Sequence, residues 1–506
     1  MLFRSSRSVV ESLLQCSAKY WECDQRDAIL AQAHDVLDGA FKNFRGHLLS
    51  MIPSKDRNSR FAPRNRVDYA MFRKLWMKKY SKEQSMVKEY SPDLCWHVIR
   101  TYIKGASAEV LLEPDEYQHI DAKQRSVSQK TYEKIYTDVW ERWYKLLSAD
   151  NNYWDDQDLS RYILDKDLIE PVYPGIFCDE AQDFTRIELE VILRMSLFSA
   201  RDVAPSDIAK IPFVFAGDQF QTINPTGFRW DSVKAWFAEK FIFTLDPSRR
   251  SGLKDPNYRE LTFNYRSSSQ IVGFSNYVQA LRSYLFSIPG LQPQLAWDDS
   301  PSSPVVHYRP DDMNFWSGIK KLGDVVFILP CHENEEMEYI RKDPVLSHKI
   351  VMHDGVPSIP VFSAARAKGL EFQRVVVYGF GGEYCPLGLL DPVRKNADKD
   401  MSAEKALPME YFVNRLYVAV SRPKSQLFIL DDDKGIKQLW EFACNMDWEK
   451  VILDGIKKGH GVWSGKLSML QEGGKEHLNA AEPVDILANA EQIEKNGRAR
   501  SDSWML

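Results

Sequence analysis

Three carboxylates and a glutamine follow one apolar run in the segment IFCDEAQDF (176–184). Adjacent buried acids are costly unless a cation meets them. Asp179 could hold Mg²⁺, because this ion keeps several waters and needs few carboxylates, and Glu180 could orient or deprotonate an attacking water. The alternative is a strand that runs into an acidic helix N-terminus, where Asp and Glu complement the helix dipole. This segment alone leaves both interpretations open.

A second segment, FVFAGDQFQTINPTGFRW (213–230), has the same arrangement: an apolar run, then Gly217 and Asp218, then Gln221. Open α/β sheets bind ligands outside the carboxyl ends of their strands. Gln182 and Gln221 are neutral hydrogen-bonding groups, suited to sensing a γ-phosphate without adding negative charge. Together the two segments predict a site for phosphoryl transfer, a reaction that also needs cations from a second element.

Three later segments offer those cations. LTFNYRSSSQIVGFSN (261–276) has Arg266 beside Tyr265, and EYFVNRLYVAVSRPKSQLFIL (410–430) has Arg422 just before a predicted strand. Between them, VFSAARAKGLEFQRVVVYGF (361–380) carries Lys368, Gly369, Leu370 and Glu371 ahead of another strand. A lone arginine is usually a surface or ion-pair residue, so the inference rests on the set.

Continuous apolar strands alternate with helical segments in two groups, one before and one after about residue 250, as in parallel α/β sheets. We therefore predict an α/β protein with two tandem domains and a helical, basic insertion in the first. The predicted boundaries are 1–45 with 165–250 for the first domain, 45–165 for the insertion, 251–445 for the second domain and 446–506 for a partly helical tail.

The order of these segments resembles the UvrD/Rep-like superfamily 1 helicases. DEAQD resembles their motif II, GDQFQT motif III, NYRSS motif IV, AKGLEF motif V and NRLYVAVSRPK motif VI, while the opening LFRSSRSVVESL resembles motif Ia. IKG (103–105) and WDDQDL (154–159) resemble a branch of large, repeat-containing helicase-like proteins. The resemblance implies two RecA-like (P-loop NTPase) domains, ATP and Mg²⁺ as cofactors, and hydrolysis of ATP coupled to movement on single-stranded nucleic acid, DNA rather than RNA.

The resemblance also implies a role for each matching residue. Asp179 would coordinate Mg²⁺, Glu180 would be the catalytic base, and Gln182 and Gln221 would couple the phosphate state to the position of the strand. The cofactor-binding positions would be Asp218, Tyr265 (stacked on adenine), Gly369 and Glu371 (near the ribose and the bound strand). Arg266 and Arg422 would contact the γ-phosphate, Arg422 as an arginine finger.

Residues 55–83 carry ten Lys or Arg against three acids, interleaved with Phe61, Tyr69, Phe72, Trp76 and Tyr80. Basic groups neutralise phosphates and aromatic faces stack bases, so this mixture suits a single strand. The nucleic-acid contacts predicted from these observations are Arg64, Arg66 and Trp76, with Phe228 or Trp230 after motif III. The alternative is an amphipathic helix whose aromatic residues are core and whose charges are solvated.

The sequence departs from the family in its phosphate loop. No GxxxxGKS or GxxxxGKT occurs in the 506 residues; HGVWSGKLS (460–468) is a decoy, because His460 and Leu467 stand at key positions. We expect a fragment of a longer helicase; the alternatives are an ATPase-dead nucleic-acid-binding or scaffold protein, and a partner chain that supplies the loop. Motif V has Ala365 in place of the usual histidine, and only a minimal accessory domain fits between motifs IV and V.

Composition limits the protein class and compartment. The net charge of −5 excludes a uniformly basic nucleic-acid coat, and no apolar run approaches the length of a membrane span. The seven cysteines are scattered without a CxxC pair, which favours a reducing intracellular compartment, the cytoplasm or the nucleus.

Overall fold

The computed structural model describes residues 40–83, 90–121, 125–200, 213–223, 230–237, 259–288, 291–353, 356–395 and 403–478. Their buried apolar side chains form one core for a first α/β unit, one for a helical region, and two on the second α/β unit. Within the described ranges no helix has both the length and the apolar character that a membrane crossing requires.

The helical region is built around aromatic side chains. Its longest helices begin at side-chain caps: Asp68 accepts from Met71 N, and Ser91 and Ser128 cap the helices that follow them. From residue 44 to 165 the helices are Phe44–Met51, Ser54–Ser59, Tyr69–Tyr80, Pro92–His97, Pro114–Tyr117, Gln129–Lys134, Lys145–Asn151 and Asp156–Asp165, with π-helical continuations Val98–Ile103 and Ile135–Tyr144.

The first α/β unit places two short parallel strands side by side. β1 (Ile176–Cys178) pairs with β2 (Phe213–Phe215) in parallel register, so both strands end at the same edge. Helix Arg186–Arg194 follows β1 and begins at a capping box of Thr185 and Glu188; helix Trp230–Phe237 follows β2.

The second α/β unit contains a six-stranded sheet in the order β12-β5-β11-β10-β6-β9, in which each pair of neighbouring strands is parallel. Alternate residues of β6, β10 and β11 belong to two different apolar cores, so helices and loops cover both faces. This explains the continuous apolar runs in the sequence. The strands of this unit are β3 (Phe263–Asn264), β4 (Leu295–Ala296), β5 (Val306–Tyr308), β6 (Val325–Leu329), β7 (Met352–His353), β8 (Val356–Pro357), β9 (Val361–Ser363), β10 (Phe372–Tyr378), β11 (Pro423–Leu430) and β12 (Gln471–Glu472).

The two long helices of this unit pack against each other and against the sheet. They are Ser269–Phe286 and Ala403–Val420, of 18 residues each. The other helices are Met313–Leu322, Glu336–Lys342, Leu346–Lys349, Ala364–Ala367, Asp391–Lys395, Asp433–Gly435 with π-helical Ile436–Trp440, Glu441–Cys444, Met446–Asp454 and Gly459–Trp463. The predicted mixed α/β class with parallel sheets is confirmed.

Residues 446–478 continue the second unit. Trp463 is 1% exposed within its core, and β12 adds to the edge of the sheet at β5. The decoy segment HGVWSGKLS lies here, and its first residues belong to the short helix Gly459–Trp463. Its last residue, Ser468, packs closely against Gly273: a Cβ at Gly273 would lie 2.1 Å from Ser468 Oγ. No strand precedes it and no helix follows Lys466 before β12, so it lacks the geometry of a phosphate loop.

Candidate functional site

The acids of DEAQD lie directly after β1. Glu180 has φ +52° and ψ +40°, in the left-handed region that residues other than glycine seldom adopt. This conformation turns the chain sharply into a 3₁₀ turn at Ala181–Asp183, and Asp179 Oδ1 accepts from Glu180 N at 3.0 Å. Strain of this kind often accompanies functional loops.

Gln182 connects the two strand ends. Its side chain is fully buried; Nε2 donates to Glu180 Oε2, and Oε1 accepts from Asp218 N at 3.1 Å. A Cβ at Gly217 would lie 2.2 Å from Gln182 Oε1, so this close approach requires glycine. Asp218 in turn accepts from Phe220 N at 2.9 Å and from Gln221 Nε2 at 3.0 Å.

Arg422 reaches this edge from the second unit. It is 1% exposed, and its Nη2 donates to Gln221 Oε1 at 2.9 Å. Burial, and then the neighbouring Arg266, lower the pKa of Arg422 to about 10, although Glu180 opposes the shift. The guanidinium is therefore still charged at neutral pH and is oriented towards the loop after β2.

Arg266 and Glu371 form an ion pair beside Arg422. Arg266 Nε lies 2.6 Å from Glu371 Oε1, and Lys424 Nζ lies 3.0 Å from Glu371 Oε2. Burial alone would raise the pKa of Glu371, but Arg266 and Lys424 hold it below its ordinary value. Arg266 and Glu371 are therefore an ion pair whose opposite charges compensate each other.

Tyr265 and Gly369 are also at the surface here. The Tyr265 side chain is 66% exposed and its ring lies 4.7 Å from that of Trp297, which leaves an aromatic face open to a ligand. Gly369 has φ +74°, a backbone conformation that favours glycine.

Lys368 also lies in this site, although the sequence alone did not assign it a specific role. Its Nζ lies 2.6 Å from Asp183 Oδ1 and 3.7 Å from Glu180 Oε2, and its side chain is 10% exposed. Burial raises the pKa of Asp183 and Lys368 opposes that shift. Lys368 therefore ties AKGLEF of the second unit to DEAQD of the first; its position next to Gly369 in that motif was the signal available in the sequence.

The carboxylates at this edge are chemically suited to Mg²⁺. The part of the chain that the structure describes holds no cluster of three or more His, Cys, Asp or Glu side chains able to bind a metal. Mg²⁺ does not need such a cluster, because one or two carboxylates, waters and substrate phosphates complete its octahedral shell. Asp179 and Glu180, adjacent at the end of β1, fit that requirement.

The predicted nucleic-acid residues have mixed outcomes. The prediction for Trp76 is wrong: its side chain is 0% exposed in the core of the helical region, with its ring 5.3 Å from that of Tyr80, and no base can reach it. Phe61, Phe72 and Tyr80 are buried too, so the alternative, an amphipathic segment with core aromatics, is confirmed. Arg64 is exposed, Trp230 packs half-buried against the first core, and Phe228 lies outside the described residues.

Arg66 lines a cleft where the helical region meets both α/β units. The cleft has a volume of about 70 Å³, and its lining includes Arg66, Tyr69, Ile223, His332, Ala365 and Arg415. Ala365, which stands where the resemblance predicts a histidine, therefore opens onto this cleft. Burial, and then the nearby Arg415 and Arg73, lower the pKa of His332 to about 2, so the ring is neutral.

The segments IKG and WDDQDL meet in a buried ion cluster. Lys104 Nζ donates to Asp155 and lies 2.6 Å from Asp158 Oδ2, while Gly105 O accepts from Ile187 N at 3.1 Å. A Cβ at Gly105 would lie 2.9 Å from Thr185 Cβ. The cluster therefore supports the helix that follows DEAQD, a contact that the sequence did not reveal.

Arg100 links the same region to the site. Its Nη2 donates to Asp183 O at 3.3 Å and lies 3.5 Å from Glu188 Oε2. Glu188 also accepts from Gln157 Nε2 at 3.0 Å. The helical region and the acids after β1 are thus joined by a continuous polar network.

Comparison with known proteins adds no family assignment. No protein-family model matches the chain, and no curated protein matches it at a significant level.

Proposed function

We propose that this chain contains the motor of an ATP-dependent translocase on single-stranded nucleic acid, DNA rather than RNA, built from two RecA-like units as in UvrD/Rep-like helicases. One observation carries the proposal: Arg422 of the second unit lies 2.9 Å from Gln221, at the strand edge that also bears Asp179 and Glu180. We call the place where Asp179, Glu180 and Gln221 of the first unit meet Arg422 of the second unit the joint. Phosphoryl transfer between two lobes requires this arrangement, with acids on one unit and an arginine on the other.

Each residue of the joint has a chemical task in this proposal. Asp179 would hold Mg²⁺, which when bound neutralises phosphate charge. Glu180 Oε would accept the proton of the attacking water. Arg422 would exchange its bond with Gln221 for the γ-phosphate, and Tyr265 would offer its exposed ring to the adenine. Opening and closing of the joint would then move the bound strand.

The phosphate loop would come from a preceding segment of a longer chain or from a partner chain, and the compartment would be the cytoplasm or nucleus. All five cysteines within the described ranges are free thiols, in keeping with a reducing environment.

A second candidate is a nucleic-acid-binding or scaffold protein that does not hydrolyse ATP. It is favoured by one observation, that the 506 residues contain no GxxxxGKS or GxxxxGKT segment. The two candidates differ in turnover, so an ATPase assay separates them.

The test uses the longest natural chain that contains these residues. Glu180→Gln should abolish ATP turnover while ATP binding is retained, and Arg422→Ala should lower turnover by about 10³-fold or more, as expected for an arginine finger. The matched controls are Glu338→Gln and Arg309→Ala, whose side chains are 51% and 61% exposed in ion pairs away from the joint. Wild-type turnover in the Glu180 variant would refute the assignment of the base.

A further inference from the structure

Three consecutive residues of the loop after β2 are each bound by a different side chain of the second unit. Phe220 O accepts from Arg282 Nη2 at 3.3 Å, and Thr222 O accepts from Asn414 Nδ2 at 2.7 Å. Between them, Gln221 Oε1 accepts from Arg422 Nη2 at 2.9 Å. The two outer bonds hold the backbone, so they fix the loop whichever side chain stands at its centre.

Arg282 is the most buried member of this set. It lies on helix Ser269–Phe286 with 0% exposure, and its guanidinium is stacked between the rings of Phe220 at 4.9 Å and Tyr417 at 5.5 Å. Burial of a guanidinium is costly unless hydrogen-bond acceptors meet it. Here Gln279 Oε1, 2.7 Å from Nη1, and the carbonyl of Phe220 supply neutral acceptors.

Arg282 also sets the orientation of Asn414. Asn414 Oδ1 accepts from Arg282 Nη2, which leaves the Nδ2 group free to donate to Thr222 O. Without the guanidinium the amide would lose the contact that fixes which way it faces. One residue therefore governs two of the three bonds to the loop, although it makes no hydrogen bond to Gln221 or Arg422.

We propose that Arg282 is a positioning residue that docks the loop 220–222 onto the second unit and thereby places Gln221 within reach of Arg422. The docking follows from the contacts alone. Its consequence for catalysis, correct placement of Gln221 and its loop opposite Arg422, rests on the proposed function.

The docking is tested on the full 506-residue chain without nucleotide, by hydrogen–deuterium exchange of the peptide that covers 213–223. Arg282→Met should speed exchange of the loop amides about ten- to hundredfold, as expected for loss of hydrogen bonds from a charged donor. Arg282→Lys keeps the positive charge but loses the forked guanidinium, so its loop amides should exchange at a rate between those of the wild type and of Arg282→Met. Arg309→Met, an exposed arginine, should leave the peptide unchanged. Wild-type exchange in Arg282→Met would overturn the proposal.

A second variant protects the test against a folding defect. If Arg282→Met does not fold, Asn414→Leu is used instead. This change removes the bond to Thr222 and replaces the amide by an apolar side chain of similar size. The proposal then requires faster exchange at the loop with unchanged exchange in strand β10. Equal loosening of both segments would overturn it, because general destabilisation would then explain the effect.

The catalytic consequence is measured in a chain that hydrolyses ATP. Arg282→Met should lower kcat at least tenfold while KM for ATP stays within about twofold, since Tyr265 and the acids are untouched. Faster loop exchange with normal kcat in such a chain would overturn the catalytic role. If the longest natural chain that contains these residues shows no hydrolysis, the proposed function fails, whereas the exchange experiment still decides the docking.

Discussion

Replacement of Lys104 by methionine tests the buried ion cluster behind the site. Lys104 and Asp155 are 4% and 3% exposed, so the variant leaves the Asp155 carboxylate buried without its cation. Removal of one partner from a buried pair costs about 3–5 kcal/mol. Asp158 is 32% exposed at its side chain and water can solvate it, so we expect the lower end, about 3 kcal/mol at pH 8.

The loss should depend on pH in a defined direction. Burial, and then Asp158, raise the pKa of Asp155 to about 7, although Lys104 opposes the shift. An acid whose folded-state pKa is raised binds its proton more tightly in the folded state, so stability falls as pH rises from the ordinary pKa of Asp to the raised value, and it levels off above that value. Without Lys104 the pKa of Asp155 rises further, so the variant continues to lose stability above pH 7 where the wild type no longer does. The deficit should therefore be larger at pH 8 than at pH 5, by up to about 1.4 kcal/mol.

The assay is thermal unfolding at pH 5 and pH 8, with Lys342→Met as the control. A loss of about 3 kcal/mol lowers the Tm of a unit of this size by roughly 6–12 °C. Lys342 is 76% exposed in an i,i+4 pair with Glu338, so its removal should leave the Tm essentially unchanged at both pH values. A restored Tm in the double variant Lys104→Met, Asp155→Asn would support the reasoning. An equal deficit at both pH values would refute it.

Further predictions concern three other residues. Trp76→Ala should destabilise the protein by about 3–5 kcal/mol in urea titration, with affinity for single-stranded DNA unchanged in the folded fraction; weaker DNA binding at unchanged stability would contradict its assignment to the core. Tyr265→Ala should weaken nucleotide binding in calorimetry without lowering the Tm, since the side chain is 66% exposed; unchanged affinity would count against stacking. Lys368→Met should raise the pKa of Asp183 and destabilise the protein more at pH 8 than at pH 5, and a pH-independent change in Tm would argue against the ion pair.

The strands and their polar ends were predictable because each lies within a short stretch of sequence. β1 and the second halves of β10 (375–378) and β11 (427–430) are continuous apolar runs, and the residues that follow β1 lie at the sheet edge as the pattern indicates. Gln182, Asp218 and Gln221 form one hydrogen-bonded set with Glu180, as expected for parallel neighbours.

Contacts between distant segments were not predictable, because a pattern in one segment does not identify its partner. The periodicity around Trp76 indicated an apolar face, but not whether protein or nucleic acid covers it. Arg282 and Phe220 are 62 residues apart and Lys368 and Asp183 are 185 apart, and neither pair has a local signature. β12 has only two residues, too few for strand periodicity, so the sequence did not predict that residues 446–478 pack onto the second unit.

The central claim, a nucleic-acid-dependent ATPase joint, is tested most directly by steady-state ATP hydrolysis. The assay compares this 506-residue chain with a longer natural chain that includes the upstream coding sequence, each with and without single-stranded DNA. We predict that the longer chain hydrolyses ATP, that DNA stimulates it, and that Glu180→Gln abolishes it. Absence of hydrolysis in both chains, with DNA binding retained, would contradict the account and favour the non-hydrolysing nucleic-acid-binding protein.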